Sequence, residues 1–280
     1  MSYTIAIAYR IYPGISKTPA FFSDNKMKMA EVCFASFIQA LEGLEYHIWV
    51  LFDNCPNEYE AMCLRHCKAE SMTFLHYKGI GNALTFEQQI LILEQQNFSD
   101  NIMFAEDDYF YLRDSIRLSL ECLCGMKDAH FVTPYDVPNY YTLPLHQHKS
   151  EYRQMGNQIL KTVNATCLTF LTTKNQLEYV KSIFLTYKKK NYDASMWLAI
   201  TQKGLWSSSF LFAAFKDSMH KRILIKLYLF SLLHIVFKPS RKLWAAQPSL
   251  NTHFEKNDLA KDIDWKYHVE YIAHSIGIDE

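Results

Sequence analysis

Three consecutive carboxylates, Glu106, Asp107 and Asp108, directly follow the apolar run of residues 101–105. Adjacent negative charges repel one another, and water, hydrogen-bond donors or a cation must offset that repulsion. Mg²⁺ and Mn²⁺ prefer oxygen ligands and are commonly held by one or two protein carboxylates together with substrate phosphates. The triplet therefore predicts a site for a metal-bound diphosphate. The alternative is a solvated junction between strand and loop in which one acid has a structural role.

Two further features are expected at the same edge of a sheet. Asp53 ends the apolar run that begins at residue 46, and a "GIGN" turn containing Gly81 and Asn82 precedes a helical pattern. In open α/β sheets ligands bind beyond the carboxyl ends of the strands, and backbone N–H groups near a helix N-terminus suit phosphate or ribose. These positions predict a nucleotide pocket, although the two glycines alone are also typical of an ordinary turn.

Strands and helices alternate over the first 110 residues, which favours a mostly parallel sheet with helices on both faces. The predicted strands are 3–13, 46–54, 72–77 and 101–105, and the predicted helices are 27–43, 57–69 and one beginning at Thr85. Gly43 is the expected cap of the first helix, and Thr85 with Gln88 matches a capping box. The second half is predicted to contain strands within 130–144 and 165–173 and helices over 174–190 and 193–203.

Composition narrows the class of protein. The chain has 280 residues, of which 49% are hydrophobic, so a sizeable core is expected. Its 29 basic and 29 acidic residues produce no overall field that would attract nucleic acid. The seven cysteines are an odd number, and Met1 leads directly into a strand-like run without a basic leader. We therefore expect reduced thiols and a cytoplasmic protein.

Residues 216–244 differ from the rest of the chain. They contain seven Lys and Arg residues and a single acid, Asp217. Their apolar centre, 223–237, is too short and too polar to span a bilayer comfortably. Polar positions 222, 226, 231, 234 and 238 share roughly one helical stripe, which predicts a basic amphipathic helix on an anionic membrane surface. The alternative is a helix packed on the core of the protein.

The order of these motifs resembles a GT-A-fold glycosyltransferase of the bacterial, family-2-like type. The resemblance covers roughly residues 3–136, where Glu106-Asp107-Asp108 matches a Glu-Asp-Asp variant of the Asp-x-Asp motif. It recurs in the tail "PSLNTHFEKNDLAKDIDW", residues 248–265. The resemblance implies an α/β fold with a Rossmann-like mixed sheet flanked by helices and an elaborated helical C-terminal part. It implies one catalytic domain, in which 1–136 binds the nucleotide sugar and 137–280 binds the acceptor.

The resemblance also implies roles in donor binding. Asp53 would hydrogen-bond the nucleobase, and Tyr9 or Arg10 on the first strand would line that pocket. Gly81 and Asn82 would contact the nucleotide sugar. Asp107 would face the ribose or the donor sugar.

The resemblance assigns metal binding and catalysis to other residues. Asp108 would coordinate Mn²⁺ or Mg²⁺, and His253 would complete the metal shell. Asp193 would act as the base of an inverting transfer, although Asp is also a favoured helix N-cap. Asp136 is the competing candidate for the base. Two family features are missing, since only Asp53-Asn54 stands where a doubled Asp is common and no Gln-x-x-Arg-Trp pattern occurs.

Together these features predict a metal-dependent glycosyltransferase that moves one sugar from a UDP- or GDP-sugar. The acceptor would be a saccharide or a lipid-linked glycan in cell-surface polysaccharide synthesis, such as lipopolysaccharide or capsule. The enzyme would lie peripherally on the inner face of the cytoplasmic membrane. One rival is a sugar nucleotidyltransferase, which would carry a glycine- and lysine-rich loop after the first strand, whereas "YRIYPGISKTP" has one of each. Another is a noncatalytic protein that binds membrane or glycan.

Overall fold

The computed structural model describes residues 3–15 and 18–278. Within these ranges the strands are β1 (Thr4–Ile11), β2 (Glu45–Asp53), β3 (Met72–Tyr77), β4 (Asn101–Glu106), β5 (Tyr109–Tyr111), β6 (Phe131–Thr133), β7 (Tyr152–Met155), β8 (Gln158–Val163), β9 (Phe170–Thr173), β10 (Leu243–Gln247) and β11 (Asn251–His253). The helices are α1 (Lys26–Ala40), α2 (Glu58–His66), α3 (Asn82–Gln95), α4 (Ser115–Gly125), α5 (Lys174–Phe184), α6 (Asp193–Thr201), α7 (Ser208–Lys216), α8 (Ser218–Phe237) and α9 (Trp265–Ser275).

One mixed sheet runs through the molecule in the order β3-β2-β1-β4-β9-β6-β10-β8-β7. Its first four strands are parallel, and β1 lies between β2 and β4. The end of β2 at Asp53 and the end of β4 at Glu106 therefore flank the end of β1. The expectation that Asp53 and the acidic triplet share one edge of the sheet is confirmed.

Helices cover both faces of the parallel half. Tyr9 of β1 packs against Phe34 and Phe37 of α1, with ring centroids 5.3 and 4.9 Å away. On the other face, the buried amide of Gln89 in α3 donates to the carbonyl oxygens of Ala8 and Ala105. Successive strand residues point to opposite faces, so a single strand contacts both helix layers. The predicted α/β class, a mixed sheet flanked by helices, is confirmed.

Beyond β4 the sheet departs from the mostly parallel prediction. β9 is antiparallel to both β4 and β6, and a hairpin of β7 and β8 extends the far edge. β9 spans only Phe170–Thr173, because the residues before it form a loop in which Thr169 reaches the carboxylate of Glu106. Strands β10 and β11 and helix α9 were not predicted. The boundary between two functional halves at residue 136 stays a prediction.

Several predicted helix boundaries were wrong, among them the ends of α2 and α5, which are His66 and Phe184 rather than residues 69 and 190. α3 begins at Asn82 rather than Thr85, because Gly81 has φ +81° and turns the chain into the helix earlier. Thr85 is then inside the helix, and its hydroxyl donates back to the carbonyl oxygens of Gly81 and Asn82. α1 ends at Ala40 with Leu41 as its cap, and Gly43, at φ +78°, belongs to the turn that follows.

The basic stretch is not one continuous helix. α8 ends at Phe237, just before Pro239, and Leu243–Gln247 then enters the sheet as β10. A proline two residues after the last helical residue cannot continue the hydrogen-bond ladder. Of the helices in the described residues, none combines the length and apolarity needed to cross a membrane.

An aromatic cluster joins the parallel half of the sheet to the mixed half. The ring of Phe170 on β9 lies 4.7 Å from Phe104, 6.1 Å from Phe131 and 4.9 Å from Trp197, measured between ring centroids. Phe170 is fully buried. Because it touches both halves, it fixes how the strands that carry the acids sit against the rest of the sheet.

Replacing Phe170 with Ala should therefore lower the free energy of unfolding by about 3–5 kcal/mol through lost burial and a residual cavity. Phe98→Ala is the matched control, because the Phe98 ring is partly exposed. Urea denaturation followed by circular dichroism measures both variants. Equal losses in the two would contradict the assigned role of Phe170.

Candidate functional site

A cavity of about 350 Å³ lies at the carboxyl ends of β1, β2 and β4, beside the first turn of α3. Its volume falls in the range of small-molecule sites. Charged and polar side chains dominate its walls, among them Arg10, Lys26, Asp53, Asn82 and Asp107. All three acids of the triplet line it. The topology of the sheet thus brings together residues that are up to 98 positions apart in the sequence.

Arg10 ties the elements around the cavity to one another. Its side chain is buried, and one guanidinium nitrogen donates to the Asn82 carbonyl oxygen at 3.1 Å and to the Asn82 side-chain oxygen. The other nitrogen forms an ion pair with Glu106. Burial alone would lower the pKa of Arg10, but the neighbouring Glu106 carboxylate raises it, so the guanidinium stays charged. Glu106 also accepts from the Thr169 hydroxyl and is therefore held by two partners.

Asp107 has a different cation. The Lys26 ammonium lies 2.9 Å from Asp107 Oδ2, and the backbone N–H of Tyr12 donates to the same oxygen at 3.2 Å. Burial raises the pKa of Asp107, Lys26 opposes the rise, and the charge of Asp108 adds to it. The pKa of Asp107 lies above its usual range as a result.

Asp108 faces a histidine. His253 Nε2 is 3.1 Å from Asp108 Oδ2, and His253 Nδ1 is 3.6 Å from Asp258 Oδ2. Burial alone would lower the pKa of His253, but Asp108 raises it to about 10. The pKa of Asp108 moves the opposite way, since His253, Lys26 and Arg10 outweigh the effect of burial and lower it. The imidazole stacks on Tyr109 at 4.9 Å between centroids, which fixes its orientation.

The residues around Asp108 fit a divalent cation. No group of three or more His, Cys, Asp or Glu side chains in residues 3–15 and 18–278 forms a complete metal cage. Asp108 Oδ1, however, is a buried oxygen with no hydrogen-bond partner. A carboxylate oxygen and an imidazole nitrogen suit Mn²⁺, and substrate phosphates commonly supply the remaining ligands. To ligate a metal, His253 must first lose a proton, so the cation would replace the present ion pair.

Asp53 holds the glycine turn. Its two carboxylate oxygens accept from the backbone N–H groups of Ile80 and Gly81, each at 2.7 Å. The side chain is buried at the cavity wall. Asp53 thereby holds the turn that places Gly81 and Asn82 at the cavity, where the sequence predicted these two residues to lie. The contact of Asp53 with a nucleobase stays a prediction. It would use the carboxylate lone pairs that do not accept from Ile80 or Gly81.

Tyr9 does not line the cavity, although the resemblance implied that Tyr9 or Arg10 would do so. It is fully buried among the rings of α1, and its hydroxyl has no partner. Adjacent residues of a strand face opposite sides of the sheet, so only one of the two can reach the pocket. The structure gives that position to Arg10.

Asp193 stands in the first turn of α6, and Tyr192 rather than Asp193 is the N-cap residue. Its Oδ1 accepts from the Ala194 N–H at 2.7 Å. Its charge acts on Cys167 and Tyr187, whose pKa values are raised by burial and also by Asp193 and Glu106. Tyr187 also accepts a hydrogen bond from Asn82 at 3.3 Å, whereas Asp193 itself is not among the residues that line the cavity.

Asp136 is engaged in a buried network. Its Oδ1 is 2.7 Å from Lys161 Nζ, and its Oδ2 accepts from the Tyr141 hydroxyl at 2.5 Å. The Lys161 ammonium also lies over the Tyr141 ring, 4.0 Å from its centroid. Burial lowers the pKa of Lys161, and the carboxylate of Asp136 opposes that shift. A carboxylate with a cation and a hydroxyl already bound is poorly suited to accept another proton.

The sequence reasoning missed Lys26 and Asp258, which complete the charges around the triplet. Asp258 lies in the tail whose His253 was singled out, so a search for acids within five residues of that histidine would have found it. Lys26 opens α1, and nothing in its neighbours along the chain points to Asp107.

The comparisons with known proteins identify a general fold likeness. No family model matches the chain, and no curated protein matches its sequence. Similar solved structures include galactosyltransferase LgtC in complex with donor and acceptor sugar analogs, with 11% identity, a TM-score of 0.47 and coverage of 98% of this chain and 95% of that one.

Two other solved structures are a cytidylyltransferase from Leptospira borgpetersenii and glucosyl-3-phosphoglycerate synthase from Mycobacterium tuberculosis in complex with Mg²⁺ and UDP. The first has 14% identity and a TM-score of 0.37 over 65% of each chain. The second has 9% identity and a TM-score of 0.41, and the match covers 71% of this chain and 65% of that one. The chain thus spans less than two thirds of either protein. At these scores the likenesses do not assign an activity.

The Arg10–Glu106 pair generates a prediction about stability. Arg10→Met should lower the free energy of unfolding by about 3 kcal/mol or more, because it leaves Glu106 partly buried without its cation. Adding Glu106→Gln should recover part of that loss. Arg113→Met is the control, since it breaks an exposed pair with Glu42 and should change little. Urea denaturation measures all four proteins, and a double variant no more stable than Arg10→Met would contradict the pairing.

Proposed function

We propose that this protein is a metal-dependent glycosyltransferase that uses a nucleotide-sugar donor. The observation that carries the proposal is the unequal pairing of the three acids at one cavity. Glu106 is paired with Arg10, Asp107 with Lys26, and Asp108 alone keeps a buried oxygen without a hydrogen-bond partner. A diphosphate-bound cation at Asp108 would explain why one oxygen of this partly exposed carboxylate is buried without a hydrogen-bond partner.

In the proposed complex the donor occupies the cavity between the glycine turn and the triplet. Gly81 and Asn82 would contact the nucleotide sugar at the start of α3, where the positive end of the helix favours phosphate. Asp53 would face the base, and Asp107 would face the ribose or the donor sugar. Asp108 and His253 would hold Mn²⁺ or Mg²⁺, which supplies charge stabilisation for the departing diphosphate when bound.

The proposed chemistry needs a base on the acceptor side. The acceptor hydroxyl oxygen forms a bond to the anomeric carbon, and the bond from that carbon to the diphosphate oxygen breaks. The hydroxyl proton passes to Asp193, and the nucleoside diphosphate leaves, so the anomeric configuration is inverted. Asp193 is favoured over Asp136 for this role, because Asp136 already binds Lys161 and Tyr141.

The acceptor is proposed to be a saccharide or a lipid-linked glycan in cell-surface polysaccharide synthesis. The predicted position of the protein, peripheral on the inner face of the cytoplasmic membrane, belongs to the same proposal. A noncatalytic glycan- or membrane-binding protein is the less favoured reading, because it gives no reason for the cavity and its acids.

A sugar nucleotidyltransferase remains the second candidate, since it too would bind a nucleotide and a metal at strand ends. Product analysis separates the two reactions. A glycosyltransferase releases a nucleoside diphosphate from a nucleotide sugar. A nucleotidyltransferase instead makes the nucleotide sugar from a sugar 1-phosphate and a nucleoside triphosphate, with release of pyrophosphate.

Donor binding should depend on both the metal and Asp108. A UDP- or GDP-sugar at about 100 times its Kd should add about 2.7 kcal/mol to the stability of the wild type in the presence of Mn²⁺. Asp108→Asn should lose the Mn²⁺-dependent part of that gain, whereas Glu45→Gln, an exposed control, should keep it. A thermal-shift panel of nucleotide sugars with and without Mn²⁺ measures this. No shift with any nucleotide sugar would contradict the proposal.

The base should affect turnover rather than donor binding. Asp193→Asn should lower kcat by about 10²–10⁴-fold, the range for loss of a general base, while KM for the nucleotide sugar changes little. Asp136→Asn should mainly reduce stability, because it removes the partner of a buried lysine. Steady-state kinetics on the transfer reaction and NMR of the product test both points. Full activity in Asp193→Asn, or a product of retained configuration, would rule out this role.

A further inference from the structure

Helices α7 and α8 expose an unusual amount of apolar surface. Phe215 is 90% exposed, and Leu229, Leu233 and Phe237 are each more than 70% exposed. We use the term apolar face for the exposed apolar side chains of this helix pair and the adjoining Trp206. Its members are Trp206, Phe212, Phe215, Met219, Ile225, Leu229, Leu232, Leu233, Val236 and Phe237.

α8 buries polar side chains and exposes large apolar ones, which is the reverse of an ordinary surface helix. Its buried stripe contains Ile223 and Leu227 but also Ser231 and His234. The Ser231 hydroxyl and His234 Nε2 are buried without hydrogen-bond partners. Leu229, Leu233 and Phe237 point to solvent instead. A helix that is apolar around most of its circumference is normally buried, so its outer side requires a covering that the described residues do not provide.

Basic residues border the apolar face at both ends of α8. Lys216, Lys221 and Arg222 are exposed near the junction of the two helices, and Lys238 is exposed just after the last turn. Residues 216–244 contain seven basic residues and one acid, a formal charge of +6 in a neutral chain, and one of these cations, Lys242, is paired with Asp128 and Glu151. A second copy docked symmetrically on this face would bring two such charges together. An anionic partner is therefore favoured.

We propose that the apolar face inserts into the interfacial layer of an anionic lipid bilayer, with the flanking Lys and Arg residues contacting lipid headgroups. A basic helix that exposes Leu229, Leu233 and Phe237 and carries exposed Lys and Arg residues near its ends matches the requirements for binding in the interface plane. The sequence predicted a basic amphipathic helix with a polar stripe that includes Ser231 and His234, and the structure turns these two residues inward and leaves apolar side chains exposed. Insertion of side chains, in addition to charge attraction, follows from that arrangement.

This inference deepens the membrane position of the proposed function, but it does not rest on the transfer reaction. Vesicle sedimentation of the full chain without nucleotide sugar therefore tests it separately. We expect the wild type to sediment with vesicles of phosphatidylcholine and phosphatidylglycerol and much less with phosphatidylcholine alone. High salt should weaken the binding without abolishing it, because the apolar contribution is not screened.

Two kinds of variant separate insertion from charge attraction. Leu229→Ser/Leu233→Ser should weaken partitioning to anionic vesicles roughly tenfold or more, as expected for the loss of two buried leucines. Lys221→Glu/Arg222→Glu should also weaken it, and most strongly at low salt. Leu64→Ser/Tyr271→Ser is the matched control, because both side chains are exposed on other helices. Unchanged melting temperatures without vesicles would show that each variant is folded.

Brominated lipids provide a direct readout of contact. Trp206 is 71% exposed and adjoins Tyr228 of α8, with ring centroids 6.1 Å apart. Brominated anionic vesicles should quench part of the wild-type fluorescence and quench Trp206→Phe less. No sedimentation of the wild type with anionic vesicles would overturn the proposal. Binding that Leu229→Ser/Leu233→Ser leaves intact, or self-association through this face in sedimentation velocity, would also overturn it.

Discussion

The buried guanidinium of Arg10 connects three elements at the cavity. It pairs with Glu106 at the end of β4 and with the backbone and side chain of Asn82 at the start of α3, while it extends from β1 itself. A buried charge is tolerated only when it is paired and hydrogen-bonded, so these contacts must form together. The position of the acidic triplet relative to the glycine turn depends on them.

Arg10 binds Glu106, and the other two acids pair with different cations. Asp107 turns to Lys26 on α1, and Asp108 turns to His253 on β11, so each carboxylate meets a cation from a different part of the chain. These cations offset part of the repulsion between adjacent carboxylates, although the charge of Asp108 still raises the pKa of Asp107. The proposed cation would exchange one of these three pairs, Asp108–His253, for a metal-bound diphosphate.

The first four strands and their parallel direction were predictable, because apolar runs of strand length alternate with helical patterns. The strand ends and the glycine turn predicted Asp53, Gly81, Asn82 and the triplet around one pocket, and the resemblance implied Arg10 there. Tyr9 was misplaced because the sequence pattern did not give the facing of a strand that is buried on both sides. Lys26, Asp258 and the Lys161 partner of Asp136 were not predictable, since their contacts join distant segments. The sequence also did not show which side of α8 faces outward, because a helix that is apolar on most sides does not reveal which side packs on the core.

The central proposal is that Asp108 is the metal-binding acid of a nucleotide-sugar site. Anomalous diffraction from crystals grown with Mn²⁺ and UDP tests it directly. We expect a manganese peak beside Asp108 Oδ1 and the diphosphate of UDP in the cavity. A UDP bound elsewhere, or a manganese peak at Glu106 or Asp107 with none at Asp108, would contradict it.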